Sequence, residues 1–431
     1  MKTKTCVIFA GTTSEPEILT CLDLFTPCWA DATVIYDHIL CEKTLKDSLG
    51  KALSHAPHIS GRIKFGDGTK PMLTAEDEGV LFTSISYDEN ISCLTSCNSL
   101  HFERLNTTLN QINQQSLTDE YSPVLQIMLS IYQNASILTL FINHLVFDLL
   151  SVANFLDNWS KVARGLNPVP LTFNRDLLRQ GAIGNGESIP HAIMPVIETK
   201  NCPKVEMTTP RIRRTFRIEV NKLNKWKHIA AAHNISQRGI KYCLLPAQIL
   251  KLTSKFRASE RKNIGYVQLN NLRSILGLSR YYFGNVVEGT SFEISSIELS
   301  KASFPEIAKK IWSLREILAN KPGVTGKAIA FWERKMRQGQ LHNYLRKSFD
   351  VLCDRGELQL NDCSKISLYD VDFGSGTPSW HEVPLIGRSF PGRVCVILSA
   401  PEKNGDLILH AVFPESEMNE LCKHFTPVPG S

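Results

Sequence analysis

SILTLFINHLVFDLLSVANFLDNWSKVAR, residues 136–164, changes its hydrophobic period halfway along. Ser136 to Ile142 is almost continuously apolar, the pattern of a buried strand. Val124 to Gln133 reads as its partner, with Asn134-Ala135 as the turn between them. From Leu149 the apolar residues fall at helical spacing: Leu149, Val152, Ala153, Leu156, Trp159, Val162 and Ala163. Gly165 is placed to end that helix. Two paired strands running straight into a helix predict mixed α and β layers.

The junction between strand and helix reads Asn143-His144-Leu145-Val146-Phe147-Asp148. Such a junction presents a side chain at the mouth of a cleft while the scaffold stays rigid. An imidazole titrating near neutrality can take a proton from a hydroxyl or an amine. The plain alternative is a core histidine followed by an aspartate that starts a helix.

Outward from this stretch the same mixture continues. Val7 to Gly11 reads as a first strand, and Lys43 to His55 as a helix that stops before Pro57. Gly165 to Pro210 carries Pro168, Pro170, Gly181, Gly184, Gly186, Pro190, Pro195, Pro203 and Pro210, a density of breakers that few helices or strands survive. A stretch of that length is a linker or a functional crossover. Beyond it, helices are predicted at Asn221–His233, Lys241–Phe256 (with Pro246 kinking or delaying it), Pro305–Ala319 and Lys327–Phe349. Strands are predicted at Lys365–Val371, Arg393–Ser399 and Asp406–Val412, and Pro414 opens a last short helix ending near His424.

Composition sets the outer limits. The 431 residues are 43% hydrophobic and 21% charged, which excludes a disordered chain, and 25 Gly and 21 Pro exclude a collagen-like one. No apolar run approaches the roughly 18 residues of a membrane span. Cys6 to Ala10 is too short for the core of an export signal. The 12 cysteines include no C-x-x-C, so the expectation is reduced core thiols in a cytoplasmic protein, with no metal site. The formal charge of +6 conceals an asymmetry: residues 1–200 hold 14 basic against 21 acidic side chains, residues 201–431 hold 34 against 21. Within 200–275 the ratio is 17 to 3, which fits a solvated face, a phosphate-bearing ligand or nucleic acid.

Two further motifs join His144. Asp372-Phe373-Gly374-Ser375-Gly376-Thr377-Pro378 follows a predicted strand; taken alone it is a tight turn capped by an aspartate. Asn271-Leu272-Arg273 is followed by Tyr282-Phe283-Gly284-Asn285, with Arg273 a candidate partner for a carboxylate.

In this order and spacing the three motifs resemble the BAHD acyltransferases, acyl-CoA-dependent enzymes of secondary metabolism. That family carries H-x-x-x-D, then a D/N-x-R … Y-F-G-N block, then D-F-G-W-G. Leu19 to Asp37, Leu45–Leu49 with Ile59–Ile63, and Ser236 onward are similar to further family segments, so the resemblance spans most of the chain. It implies an α/β chloramphenicol-acetyltransferase-like fold of two domains, 1–165 and 211–431, joined by a crossover at 166–210, with a tunnel between them. It implies His144 as general base, Asp148 paired with Arg273, and Asp372, Gly374, Ser375 and Gly376 as the second loop. Asp372 is carried as a further catalytic candidate, although holding that loop fits it better; Ser375 or a nearby backbone N–H would meet the oxyanion. Arg211, Arg213, Arg214, Ser236 and Asn285 are candidates for binding the co-substrate, acyl-CoA.

No permanent cofactor is implied, and a monomer without a nucleic-acid or membrane partner is expected. Three departures stand out: Leu149 replaces the usual Gly, Ser375 replaces the Trp, and the segment from Arg273 to Tyr282 is short and lacks prolines. They put the chain in a divergent branch nearer the fungal members. The expected reaction is O-acylation, acetyl by default, of a small hydroxylated metabolite. Alternatives are N-acylation, a catalytically degenerate binding homologue, a condensation domain (Asn143 and Leu149 speak against it) and a nucleic-acid binder.

Overall fold

The computed structural model describes residues 1–431 except 26–28, 66–69, 92–103, 106, 109–110, 113–120, 189–195, 199–210, 237–238, 257–262, 320–321, 341–343, 347–357, 383–392 and 430–431. The chain divides into two units, and the division is not a single cut. The first comprises Met1–Gln180, Gly277–Val286 and Ile366–Pro384; the second comprises Gly181–Leu276, Val287–Lys365 and Leu385–Ser431.

The first unit is built on a six-stranded mixed sheet in the order Lys2–Ile8, Val80–Ser86, Leu125–Ile131, Ser136–Asn143, Trp29–Tyr36, Trp380–Glu382. Only the second and third of these run parallel. Ser136–Asn143 is buried along its whole length. Leu138, Leu140 and Ile142 share one face, and that face meets the helices Glu42–Ser54 and Leu149–Ala163 through Leu45, Leu49, Val152, Phe155, Leu156 and Trp159. Each of these large side chains contributes about 1.5–3 kcal/mol on full burial. The Trp159 indole N–H finds the Ser48 hydroxyl at 3.0 Å, so its polar end is satisfied inside the core. A smaller sheet joins Glu17–Ile18, Met72–Leu73, Arg62–Lys64 and Tyr121–Pro123.

The helix Leu149–Ala163 begins and ends where its sequence says. Asp148 is extended (φ −102°, ψ 173°) and caps it, and Gly165 leaves it with φ +73°, a conformation natural to glycine.

The second unit holds a seven-stranded sheet in the order Val287–Ser295, Asn263–Asn271, Leu358–Asp362, Arg393–Ser399, Leu407–Pro414, Arg211–Ile218, Thr426–Pro427. Asn263–Asn271, Leu358–Asp362 and Arg393–Ser399 are parallel. One face packs on the helices Val220–Ala232, Leu245–Thr253, Phe304–Ala319 and Glu415–Cys422. Pro246 does delay its helix: Ile240–Leu244 is a wide π-turn, and the α-helix starts with the proline in its first turn, where the missing N–H costs no bond.

Four expectations need correction. The first strand is Lys2–Ile8 and not Val7 to Gly11. Lys365–Val371 is not a strand; the strand of this region is Leu358–Asp362, and Leu368 and Val371 are buried from an irregular segment. The helix expected at Lys327–Phe349 is Pro322–Arg337, followed by Gly339 at φ +65°, while 341–343 and 347–349 lie outside the described residues. The boundaries 1–165, 166–210 and 211–431 miss two insertions into the first unit, Gly277–Val286 and Ile366–Pro384, the second because Trp380–Glu382 pairs with Trp29–Tyr36 as an edge strand. Among the described residues no helix is long and apolar enough to cross a membrane, and no group of three or more His, Cys, Asp and Glu could hold a metal.

Candidate active site

His144 occupies the first position after Ser136–Asn143, in a turn that Asn143 stitches together. The Asn143 carbonyl accepts from Val146 N (3.1 Å) and Phe147 N (3.3 Å), and its side-chain oxygen accepts from Leu145 N at 3.2 Å. The Asn143 amide donates across to Ser122 Oγ at 3.1 Å. The backbone under the imidazole is therefore fixed from both sides. The ring is half-buried, and its Nδ1 is buried with no hydrogen-bond partner among the described residues. Burial pushes the His144 pKa below the ordinary histidine value, against the opposing pull of its own backbone and of the Asp148 charge. The neutral ring is thus the stable form at neutral pH, which is the form a base requires.

Asp148 is 2% exposed and both its oxygens are engaged within the first unit. Oδ1 accepts from Ser151 N at 2.8 Å, capping the helix; Oδ2 accepts from Val286 N at 3.2 Å. The next turns of the same helix face continue this pattern. The Ser151 hydroxyl donates to Gly284 O and accepts from Gly284 N, both at 3.1 Å, and the Asn154 amide donates to Arg280 O at 2.8 Å. A buried polar stripe at Asp148, Ser151 and Asn154 therefore grips the main chain of Gly277–Val286. The Tyr282-Phe283-Gly284-Asn285 motif lies in that segment, and Asn285 is itself buried, its N–H on Asp23 Oδ1 (3.4 Å) and its amide on Leu22 O (3.4 Å).

Beneath the motif lies an ion pair that the sequence reading missed. Arg175 is fully buried; Nε donates to Asp23 Oδ2 at 3.1 Å and Nη2 to Asp23 Oδ1 at 3.3 Å. Nη1 donates to Phe173 O at 3.0 Å and also to Phe283 O. The aspartate and the arginine stand 152 positions apart, and only Asp23, between Leu22 and Leu24, has apolar neighbours that hint at burial.

The Asp372 loop also belongs to the first unit. Asp372 Oδ1 accepts from Gly374 N at 2.7 Å and Gly376 N at 2.9 Å. Partial burial opposes the charge, but those amides, Arg164 and the Ser375 N–H outweigh it and hold the carboxyl below its usual range. Gly374 (φ +101°) and Gly376 (φ +126°) supply the backbone angles that wrap the loop round the carboxylate. Phe373 is buried against Trp159 (ring centroids 4.9 Å) and Tyr36 (6.4 Å), and the Tyr36 hydroxyl donates to Val371 O at 2.8 Å. Asp372 thus builds the loop. The loop N–H groups, expected as one source of oxyanion donors, are committed to it, while Ser375 is exposed.

The remaining candidates lie in the second unit. Arg273 follows Asn263–Asn271, with its N–H on Asn271 Oδ1 at 3.0 Å. Strand alternation puts Arg211 and Arg213 on one face of Arg211–Ile218 and Arg214 on the other. Burial, then the neighbouring Arg393, lowers the Arg211 pKa, and Glu417 opposes this. Ser236 is exposed just ahead of the π-turn.

Comparison with known proteins places the chain in a family. A hydroxycinnamoyltransferase of Narcissus pseudonarcissus is 23% identical over 362 residues, covering 78% of this chain and 77% of its own. Among solved structures, TRI101 of F. sporotrichioides, complexed with coenzyme A and T-2, aligns over 95% of this chain and 97% of its own, with TM-score 0.71 and 15% identity. Vinorine synthase aligns over 97% and 96%, with TM-score 0.66 and 19% identity. The model of the Transferase family matches residues 25–427, nearly the whole chain. The chain therefore belongs to the Transferase family of BAHD acyltransferases.

Proposed function

We propose that the protein is an acyl-CoA-dependent O-acyltransferase, acetyl-CoA being the default donor, that acts on a hydroxyl of a small secondary metabolite with His144 as general base. The observation that carries this reading is the half-buried His144 ring, whose neutral form burial favours, on a turn whose main chain Asn143 and Asp148 hold. A hydroxyl has a pKa far above 7, so its proton must leave as the oxygen attacks. His144 takes that proton while the oxygen bonds to the thioester carbonyl carbon. The C–S bond of the tetrahedral adduct then breaks, and the proton passes from His144 to the departing thiolate. In this reading Asp148 and Asp372 carry no proton; each shapes main chain. The Ser375 hydroxyl, exposed on its loop, is the proposed donor to the oxyanion. Arg211 and Arg213 are proposed ligands for the CoA phosphates, since they share one strand face.

The test is product analysis by mass spectrometry after incubating the protein with a panel of acyl-CoAs and an extract from a strain lacking it. A new acyl ester that His144→Ala does not form supports the reading. Near-wild-type turnover by His144→Ala sinks the base assignment, and an acylated amine replaces O- by N-transfer.

A further inference from the structure

We infer that Asp23 and Arg175 are positioning residues: their buried pair fixes the turn at 282–285, and that turn in turn holds Asp148 and the His144 turn in place. The inference rests on His144 being the base, and its test is chosen to be read without turnover. Every link lies inside the first unit. Arg175 uses its fork on Asp23 and sends Nη1 to the carbonyls of Phe173 and Phe283. Asp23 returns a bond to Asn285 N and is itself fixed by Thr20 N and Thr20 Oγ1, both at 2.8 Å. The segment is held again by Thr172, whose N–H donates to Tyr281 O (3.0 Å) and whose carbonyl accepts from Phe283 N (2.8 Å). Gly284 then meets Ser151 and Val286 meets Asp148, so the turn that precedes the helix is braced by the same few residues.

The fit is close enough to leave no slack. A side chain at Gly284 would put its Cβ 3.2 Å from the Arg175 guanidinium carbon and 3.1 Å from the Tyr282 ring. Lysine cannot replace the arginine here, because an ammonium on a flexible stem lacks the planar fork that reaches four acceptors at once. An ion pair used only for stability could be exchanged for apolar side chains with little loss. This one also orders main-chain carbonyls and amides, which apolar side chains cannot do.

Two variants test it, Arg175→Lys and Gly284→Ala; the second strains the same junction without altering any charge. Hydrogen exchange of the full chain and a 13C-histidine titration of His144, assigned with His144→Ala, are the readouts. In a folded variant, exchange at 282–286 and at 144–151 should quicken about tenfold, and the His144 midpoint should move up toward that of free histidine. Exchange in the helix Val220–Ala232 of the second unit is the control and should not change. The inference is overturned if 282–286 loosens while exchange at 144–151 and the His144 midpoint stay at wild-type values. If Arg175→Lys does not fold, Gly284→Ala decides alone. Retained turnover by His144→Ala is a separate result; it removes the base assignment and leaves the coupling to be judged on exchange.

Discussion

Replacing Asp148 by alanine should cost stability of a size the geometry sets. Its Oδ1 caps the helix on Ser151 N at 2.8 Å, and losing such a cap costs about 0.5–2 kcal/mol. Its Oδ2 accepts from Val286 N in a site 2% exposed, and leaving that donor buried and unmet costs about 1–3 kcal/mol. The two effects together come to roughly 1.5–5 kcal/mol, with about 2–4 kcal/mol the middle of that range. At about 2–4 °C per kcal/mol for a body of this size, the first unit should melt roughly 5–15 °C lower. Asparagine separates the two bonds. It keeps an oxygen for the helix cap but turns an NH2 toward the Val286 N–H, donor against donor. Asp148→Asn should therefore lose about half as much. Calorimetry gives the melting temperature, and turnover is measured well below both transitions. A melting temperature for Asp148→Ala within about a degree of wild type would refute the clamp. A proton relay predicts a different pattern, in which Asp148→Asn melts normally and is inactive.

Other perturbations follow from the same bonds. Burial lowers the pKa of both His144 and His58, so the native state favours their neutral forms. The unfolded chain then binds more protons, and stability falls as pH drops below about 6.5 toward the depressed native values. His58→Phe, which can keep the stack on Phe173 (centroids 4.5 Å), should shrink that acid loss in urea melts at pH 5 and pH 7. Gly376→Ala meets φ +126° and the His38 ring at 3.2 Å, and should destabilise by about 1–3 kcal/mol in urea unfolding. Charge reversal at Arg211 or Arg213 should raise the KM for acetyl-CoA while reversal at Arg214, on the opposite strand face, leaves it unchanged; equal effects at all three would point to plain surface charge.

What the sequence made legible was local. Leu149–Ala163 matched expectation because its apolar spacing, its aspartate cap and its terminal glycine all act within a few residues. Arg393–Ser399 matched for a similar reason, being a short apolar run with clear ends. Lys365–Val371 failed although Ile366 and Leu368 alternate with Lys365 and Ser367. Leu368 and Val371 are buried as expected, but the main chain is held by other bonds, such as Tyr36 on Val371 O, and pairs with no strand. The two segments that enter the first unit could not be read at all. Their membership depends on acceptors and donors far away in sequence: Trp29–Tyr36 for one, Asp148, Ser151 and Asp23 for the other.

At the site, residue type was legible and residue role only in part. Histidine at a strand end announces proton chemistry, but its unpartnered Nδ1 and its lowered pKa come from tertiary burial. Of the two motif aspartates, Asp148 was expected as an ion-pair partner and Asp372 as a loop holder with a candidate catalytic part. Asp372 betrays its role by its neighbours, since a carboxylate followed two and four residues later by glycine can bind its own loop amides. Asp148 does so through its cap position, while its second bond, to Val286, is invisible in sequence. Both carboxylates are acceptors for main-chain N–H groups, an arrangement that stabilises their charged forms. His144 is the motif residue whose neutral form burial favours. With His144 as the proposed base, the expected pH–rate profile has one acid limb, and a second limb from either motif aspartate would count against the proposal.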